Sequence, residues 1–408
     1  MKDPRSGNIA SGTPHETGGT LQQDSTILLQ KGNVLVINTG STTTKVGYFT
    51  DGVRKFDMKL EHPADEVSRY HDVMDQRDMR HGAILKALKD NDIRLVDIDL
   101  VMARGGLFTP VITGVYVVNP DMIEVLATCR DGRHACNLSA ILADDIAREV
   151  NLAREAEGKS PSFGPCRAYI ADPPMADEML PECRLSGIPE FSRKTLFHAL
   201  NSRAIVRKYL RTHSLSIDEV TLIVAHMGGG ATISLHRNGR VIDTNHGLGG
   251  DGPITPERAG ACPPFELIDM CFSGKYTKEE IKKKLVGRGG AVAYFGTNSM
   301  VDVQRLADSG NELAKTFLKA YVLNISKYIA AMAATADGKV DAILLTGGIA
   351  YSDRITSAIR AKVGFVAPVE VYPGEDEINS LAENGYMILS GQTKIHNYNK
   401  DHLVEDAP

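Results

Sequence analysis

The chain has 408 residues, which at roughly 150 residues per domain points to two domains with ample length for a buried core. Apolar residues at 42% and charged residues at 24% match ordinary globular composition and exclude a wholly disordered or fibrous chain. A net charge of −5 with dispersed Lys and Arg lacks the basic footprint of a nucleic-acid binder, and no run approaches the length of a membrane span.

Residues 1–32 are rich in Gly, Ser, Thr and Gln, have no hydrophobic period, and are expected to be a flexible tail. Order is expected from Val34. Val34–Asn38 reads as a strand, Thr39–Thr43 as a turn and Lys45–Thr50 as a second strand, and Asp51-Gly52 is a hairpin pair leading into Val53–Leu60. A helix is expected near Ala64–Asp90, a strand over Ile98–Ala103, a helix over Asn137–Glu149 capped by Asn137, and a strand over Ala168–Ala171. The opening pattern then returns: strand Thr221–Ala225, glycine turn His226–Gly230, strand Ala231–His236, and Asn238-Gly239 into a third strand. The two hairpin pairs, Asp51-Gly52 and Asn238-Gly239, stand 187 positions apart (239 − 52), the mark of two related halves. Helices over Lys278–Val286, Glu312–Thr335 and Ser352–Lys362 and a strand over Val340–Thr346 complete the second half. Strands alternating with helices imply α/β layers, here in two halves with a cleft between them. The six cysteines include no Cys-x-x-Cys pair, so buried thiols in a reducing cytoplasm are expected rather than disulfides or a metal knuckle.

Glycine is in excess, 38 where about 29 would be usual, and 14 fall between Gly228 and Gly296. Three consecutive glycines in His226-Met227-Gly228-Gly229-Gly230 weaken the strand ends beside them, a loss tolerated where a ligand approaches the backbone. The corresponding turn of the first half, Asn38-Thr39-Gly40-Ser41-Thr42-Thr43-Thr44-Lys45, offers hydroxyls, backbone N–H groups and a lysine to a phosphate. Val340–Thr346 followed by Gly347-Gly348-Ile349 is a buried strand whose carboxyl end lets a nucleoside lie on bare backbone. Two facing turns would clamp a polyphosphate from both sides.

In this order the three segments resemble the phosphate-1, phosphate-2 and adenosine motifs of the superfamily that joins acetate and sugar kinases, heat-shock chaperones and actin. More closely, the chain resembles the butyrate branch of the acetate kinase family. ARGG at 103–106, GRHACNLSAILA at 132–143, RKTLFHALN at 193–201, GPITPERAG at 252–260 and VYPGEDE at 371–377 carry the likeness, which runs from about Val34 to about Gly391.

The resemblance implies a duplicated βββαβαβα-type fold, ribonuclease H-like or actin-like, with an interdomain cleft. It implies a first domain over 33–173, completed by a C-terminal helix 376–392, a nucleotide-binding domain over 174–375, and a C-terminal tail over 393–408. The implied reaction is phosphoryl transfer from ATP, with Mg²⁺, to a short-chain carboxylate, butanoate or a branched relative. Acetate or propionate kinase activity, or an actin- or chaperone-like ATP-binding module, are the alternatives. Arg258 matches the family's phosphoryl-contacting arginine, and His198 the histidine that steadies the phosphoryl group. Asp172 matches an aspartate near it, and Arg104 is the available substrate arginine. Ser41, Thr43, Lys45, His226, Gly228, Gly229, Gly230, Gly347, Gly348 and Ile349 fall on nucleotide-binding motifs, and Asn38 and Glu377 on the Mg²⁺-linked positions. Which carboxylate of Glu375-Asp376-Glu377 meets the metal depends on register. After Gly296-Thr297-Asn298 the family's Asp and Arg are replaced by Ser299-Met300-Val301-Asp302. A homodimer or higher homo-oligomer is also implied.

Overall fold

The computed structural model describes residues 31–400. Its strands are β1 (Asn33–Thr39), β2 (Thr43–Thr50), β3 (Val53–Glu61), β4 (Leu100–Arg104), β5 (Val115–Val117), β6 (Ala168–Ala171), β7 (Thr221–Met227), β8 (Ala231–Arg237), β9 (Arg240–Thr244), β10 (Ala342–Gly347), β11 (Val369–Pro373) and β12 (Ile395–Asn397). They form a seven-stranded sheet, β12-β5-β6-β4-β1-β2-β3, and a five-stranded sheet, β11-β10-β7-β8-β9.

Each sheet is built around a meander beside parallel strands. Val34–Ile37 have no exposed surface, as a central strand covered on both faces requires. Parallel β1, β4 and β6 run together in the first sheet, and parallel β7, β10 and β11 in the second. Both hairpins take positive φ at two central residues: Asp51 at 49° and Gly52 at 77°, Asn238 at 50° and Gly239 at 78°. Each meander also carries a register shift, at Tyr48/Phe49 and at Leu235/His236, again 187 positions apart (235 − 48). The repeat therefore extends to backbone irregularities that composition does not reveal.

Helices cover both faces of both sheets. In the first, Arg77–Asp90 and Asn137–Glu157 bury one face, and Glu377–Leu389 the other. In the second, Glu312–Thr335, Met300–Asp308 and Asp353–Val363 lie on one face and Ala199–His213 on the other. The helices Ala199–His213 and Glu377–Leu389 meet between the sheets, where Arg211 pairs with Glu383 at 3.7 Å.

Several boundaries depart from expectation. The helix expected over Ala64–Asp90 is broken: Ala64–Val67 and Arg77–Asp90 flank a turn in which Asp72 Oδ1 accepts from Met74 N at 3.0 Å, a local bond that competes with helix. Asn137 is the first helical residue, not the cap, and its amide ties loops together instead, accepting from Leu107 N (2.8 Å) and donating to Gly132 O (2.9 Å). That helix runs on to Glu157 and ends at Gly158 in the left-handed region. Residues 393–400, expected within a tail, include β12. It pairs parallel with β5, while His396 stacks on Tyr116 and Tyr398 is buried against Phe108. Three residues are too short a strand to show a period. Of the expected N-terminal tail, residues 1–30 lie outside the described residues.

Candidate active site

The expected site residues collect at the carboxyl ends of the parallel strands. Asn38 lies near the end of β1, Arg104 ends β4 and Asp172 follows β6. Across the cleft His226 lies near the end of β7, Gly347 ends β10, and Gly374–Glu377 follow β11. Sites in open α/β sheets form there because loops leave the strand ends and the backbone is free to meet a ligand.

The three acids after β11 point to three different partners. Glu375 Oε2 is 3.2 Å from His226 Nε2, and this hydrogen bond holds the Glu375 carboxyl below its usual range. Asp376 caps the helix Glu377–Leu389, accepting from Asn379 N at 3.0 Å, and pairs with Arg54. Glu377 faces the first sheet, where its Oε2 accepts from Asn38 Nδ2 at 2.6 Å and its Oε1 is 3.4 Å from Arg104 Nη1. Register alone therefore separates a histidine partner, a cap and a cleft carboxylate. Beside them opens a cleft of about 440 Å³, lined by Lys45, Arg54, Lys59 and this acidic run.

Asn38 and Glu377 are the residues that could hold Mg²⁺ here, with the substrate supplying the rest of its ligands. Among the described residues no group of three or more His, Cys, Asp or Glu side chains could form a protein cage for a metal. One carboxylate and one amide oxygen suit an ion that retains waters and takes its remaining ligands from phosphates.

The turn after β1 is built by a residue that sequence reasoning missed. Arg80 has no exposed surface and spends its five N–H groups on Thr43 O (2.8 Å), Thr44 Oγ1 (3.0 Å), Ser41 O (2.9 Å) and twice on Gln76 Oε1 (3.1 and 2.9 Å). Burial lowers its pKa, yet a guanidinium keeps its charge. Ser41 and Thr43 thus give their carbonyls to Arg80, while the residues themselves are exposed and half-buried respectively. Lys45 lies opposite Asn38 in the β1–β2 ladder.

On the second sheet His226 is buried, with Nδ1 2.9 Å from Asn201 Oδ1, and its ring stacks on His198 with centroids 3.8 Å apart and planes 13° apart. His198 stands at the N-cap position of the helix Ala199–His213, its Nδ1 2.9 Å from Thr232 Oγ1. Burial, then the nearby His226, Arg258 and Arg104, drives its pKa well below the usual imidazole value, so His198 is neutral at pH 7. The guanidinium of Arg258 fills the space beside Gly230: a Cβ on that glycine would lie 1.8 Å from Arg258 Nη1. That Nη1 is buried without a hydrogen-bond partner among the described residues. The turn is braced by Thr255 Oγ1 donating to Gly229 O (2.7 Å) and Glu257 N to the same carbonyl (3.1 Å). Gly347 has φ of 88° and lies so close to Met227 that a Cβ would fall 2.4 Å from its carbonyl oxygen. Gly348 faces open space, and Ile349 packs partly on the core.

Asp172 is not among these open groups. It is buried at φ 42°, its Oδ1 accepts from Gly114 N at 3.0 Å, and Arg207 (3.3 Å) and Arg203 (3.6 Å) close on its carboxylate from the helix Ala199–His213. Its contacts tie the first sheet to the helix Ala199–His213, which His198 precedes. In the turn that departs from the family pattern, Ser299 caps the helix Met300–Asp308 and Asn298 Nδ2 donates to Glu257 Oε1 at 2.7 Å. That turn is thereby joined to the residue next to Arg258. Besides Arg80, Asn201 and Thr232 carry site contacts: Asn201 closes the RKTLFHALN segment and Thr232 lies just after the glycine turn, but neither stood out as a site residue, because single polar residues in apolar strands and helices have no distinguishing spacing.

Two α/β sheets, each a meander beside parallel strands with helices on both faces, define the class of two-domain, actin-like folds. Its solved likenesses include the acetate kinase of Porphyromonas gingivalis, with a TM-score of 0.68 at 19% identity over 88% of this chain and all of that one. Residues 190–384 match the acetokinase family. Butyrate kinase 2 of Clostridium acetobutylicum is 44% identical over 368 residues, covering 90% of this chain and 99% of that protein. A probable butyrate kinase of Phocaeicola vulgatus is also 44% identical, with the same coverage. The chain belongs to the acetokinase family.

Proposed function

We propose that this protein transfers the γ-phosphoryl group of ATP to a short-chain carboxylate, butanoate or a branched relative such as 2-methylpropanoate, forming acyl phosphate and ADP reversibly. The observation that carries the reading is the convergence of Asn38, Arg104 and Glu377 from one sheet with His198, His226 and Arg258 from the other. A carboxylate oxygen attacks the γ-phosphorus while the bond to the β,γ-bridging oxygen breaks, so an anion must approach an anion and catalysis is mainly positioning and charge neutralisation. Arg104, held loosely by Glu377, takes the acid's carboxylate. Arg258 and the neutral His198 donate to the phosphoryl oxygens in transfer. The turns at Ser41–Lys45 and Gly228–Gly230 flank the phosphates, and Gly347-Gly348-Ile349 the nucleoside. Asp172 acts by holding the helix that carries His198. Mg²⁺, held by Asn38 and Glu377 when bound with the nucleotide, neutralises phosphate charge. Residues 33–173 with 376–392 form the acid-side domain and 174–375 the nucleotide domain in this reading, supported by the packing of Glu377–Leu389 on the first sheet.

The working form in this reading is a homodimer or higher homo-oligomer in the cytoplasm. The helix Pro264–Phe272 supports it, since it buries no residue and leaves Phe265 and Phe272 79% and 87% exposed. All six cysteines are free thiols, as a reducing compartment allows, although only Cys136 and Cys166 are buried as expected and Cys271 is exposed; no helix among the described residues is long and apolar enough to cross a membrane.

The test is formation of acyl phosphate, trapped as hydroxamate, from MgATP and straight or branched acids of two to five carbons. Product with four-carbon acids ahead of acetate is the expected outcome. ADP release without hydroxamate from any acid would instead favour an ATP-hydrolysing module and end the kinase reading.

A further inference from the structure

Thr232 is fully buried at the start of β8, two residues beyond the glycine turn. Its Oγ1 lies 3.3 Å from the backbone N of His198 and 2.9 Å from Nδ1 of the same residue. A backbone N–H only donates, so it takes one lone pair of the hydroxyl oxygen. The hydroxyl hydrogen then has Nδ1 within reach, and a bond in that direction makes Nδ1 the acceptor. The reverse, Nδ1–H into the second lone pair, would leave the hydrogen of a fully buried hydroxyl to find a third partner. With Nδ1 unprotonated, the single proton of a neutral imidazole sits on Nε2.

We propose that Thr232 is a positioning residue that fixes His198 in its Nε2–H tautomer, so that the cleft meets a neutral hydrogen-bond donor rather than a lone pair. The stacked ring of His226, itself held by Asn201 and Glu375, opposes a ring flip that would exchange the two nitrogens. The consequence for rate rests on the kinase reading above; the tautomer does not. A phosphoryl group in flight gains from a donor and is repelled by a lone pair, which gives the tautomer its catalytic weight.

The test uses the full chain labelled with ¹⁵N-histidine, observed by long-range proton–nitrogen correlation at about pH 7.5, with the His198 pattern assigned by its loss in His198→Gln. The wild type and Thr232→Ser are expected to show Nε2–H with Nδ1 unprotonated. Thr232→Val is expected to show a mixture of tautomers or the Nδ1–H form. Its kcat should fall roughly 10- to 100-fold while KM for ATP and acid stays within about threefold, and the serine variant should regain most of the rate. An Nδ1–H pattern in the wild type, or a valine variant with unchanged tautomer and kcat, overturns the proposal. If the valine variant fails to fold, the wild-type and serine spectra still decide it. An enzyme that makes no acyl phosphate yet shows the Nε2–H pattern would count against the kinase reading and not against the role of Thr232.

Discussion

Gly230 and the guanidinium of Arg258 occupy one space, and this sets how the glycine turn tolerates change. In Gly230→Ala the new methyl would fall 1.8 Å from Arg258 Nη1, and the flexible arginine end would move before the backbone did. Stability should therefore change by less than about 1 kcal/mol while kcat drops by roughly tenfold or more, as expected when a charge-stabilising donor is displaced. Gly82→Ala, on the exposed side of the helix Arg77–Asp90, is the control: a Cβ there meets nothing within 4 Å, and activity should stay within about threefold. Equal losses in the two variants, measured beside thermal melts, would contradict this account. The glycine triplet and the arginine were both visible in sequence as unusual residues near turns. That they share a volume was not, since 28 positions separate them (258 − 230) and contact depends on how the loop after β9 folds back.

At the scale of elements, the two meanders were legible because alternation, Asx-Gly hairpins and apolar runs are local properties. What stiffens the first meander's turn is not local. Arg80, on the helix Arg77–Asp90, reaches two carbonyls of the turn some 40 positions away, at 2.8 and 2.9 Å. Arg80→Ala would take from the Ser41 carbonyl its bond to the guanidinium, a loss of about 1–3 kcal/mol where burial persists, and would remove one bond each from Thr43 O, which keeps Gly40 N at 2.8 Å, and from Thr44 Oγ1, which keeps His62 Nε2 at 2.8 Å. The expected outcome is a lowered denaturation midpoint together with a KM for ATP raised several-fold, because the turn beside the phosphates loosens. Arg80→Lys should recover little of either, since an ammonium cannot span the fork of acceptors. A variant with unaltered melting and KM would show that the turn holds itself. In sequence, Arg80 sits in a charged stretch (Arg77-Asp78-Met79-Arg80-His81) that reads as a solvated helix face, and only the packed helix reverses that reading.

For the whole molecule, the exposed helix Pro264–Phe272 bears on assembly. If it seats against a second copy, Phe272→Glu should lower the mass measured by light scattering toward 44.2 kDa while the secondary-structure signal is kept. An unchanged oligomer, or a wild type that is monomeric at micromolar concentration, would contradict that assignment. The two halves, their repeated βββ units and the residues at their turns were determined by the chain's local pattern, because hairpin chemistry and hydrophobic period act over a few residues. The tertiary structure alone decided which acid of Glu375-Asp376-Glu377 meets Asn38 and Arg104, that Asp172 is clasped by Arg203 and Arg207, that β12 closes the edge of the first sheet, and that Thr232 meets His198. Those contacts join distant segments through side-chain direction and strand order, and a one-residue shift in register would aim each side chain elsewhere.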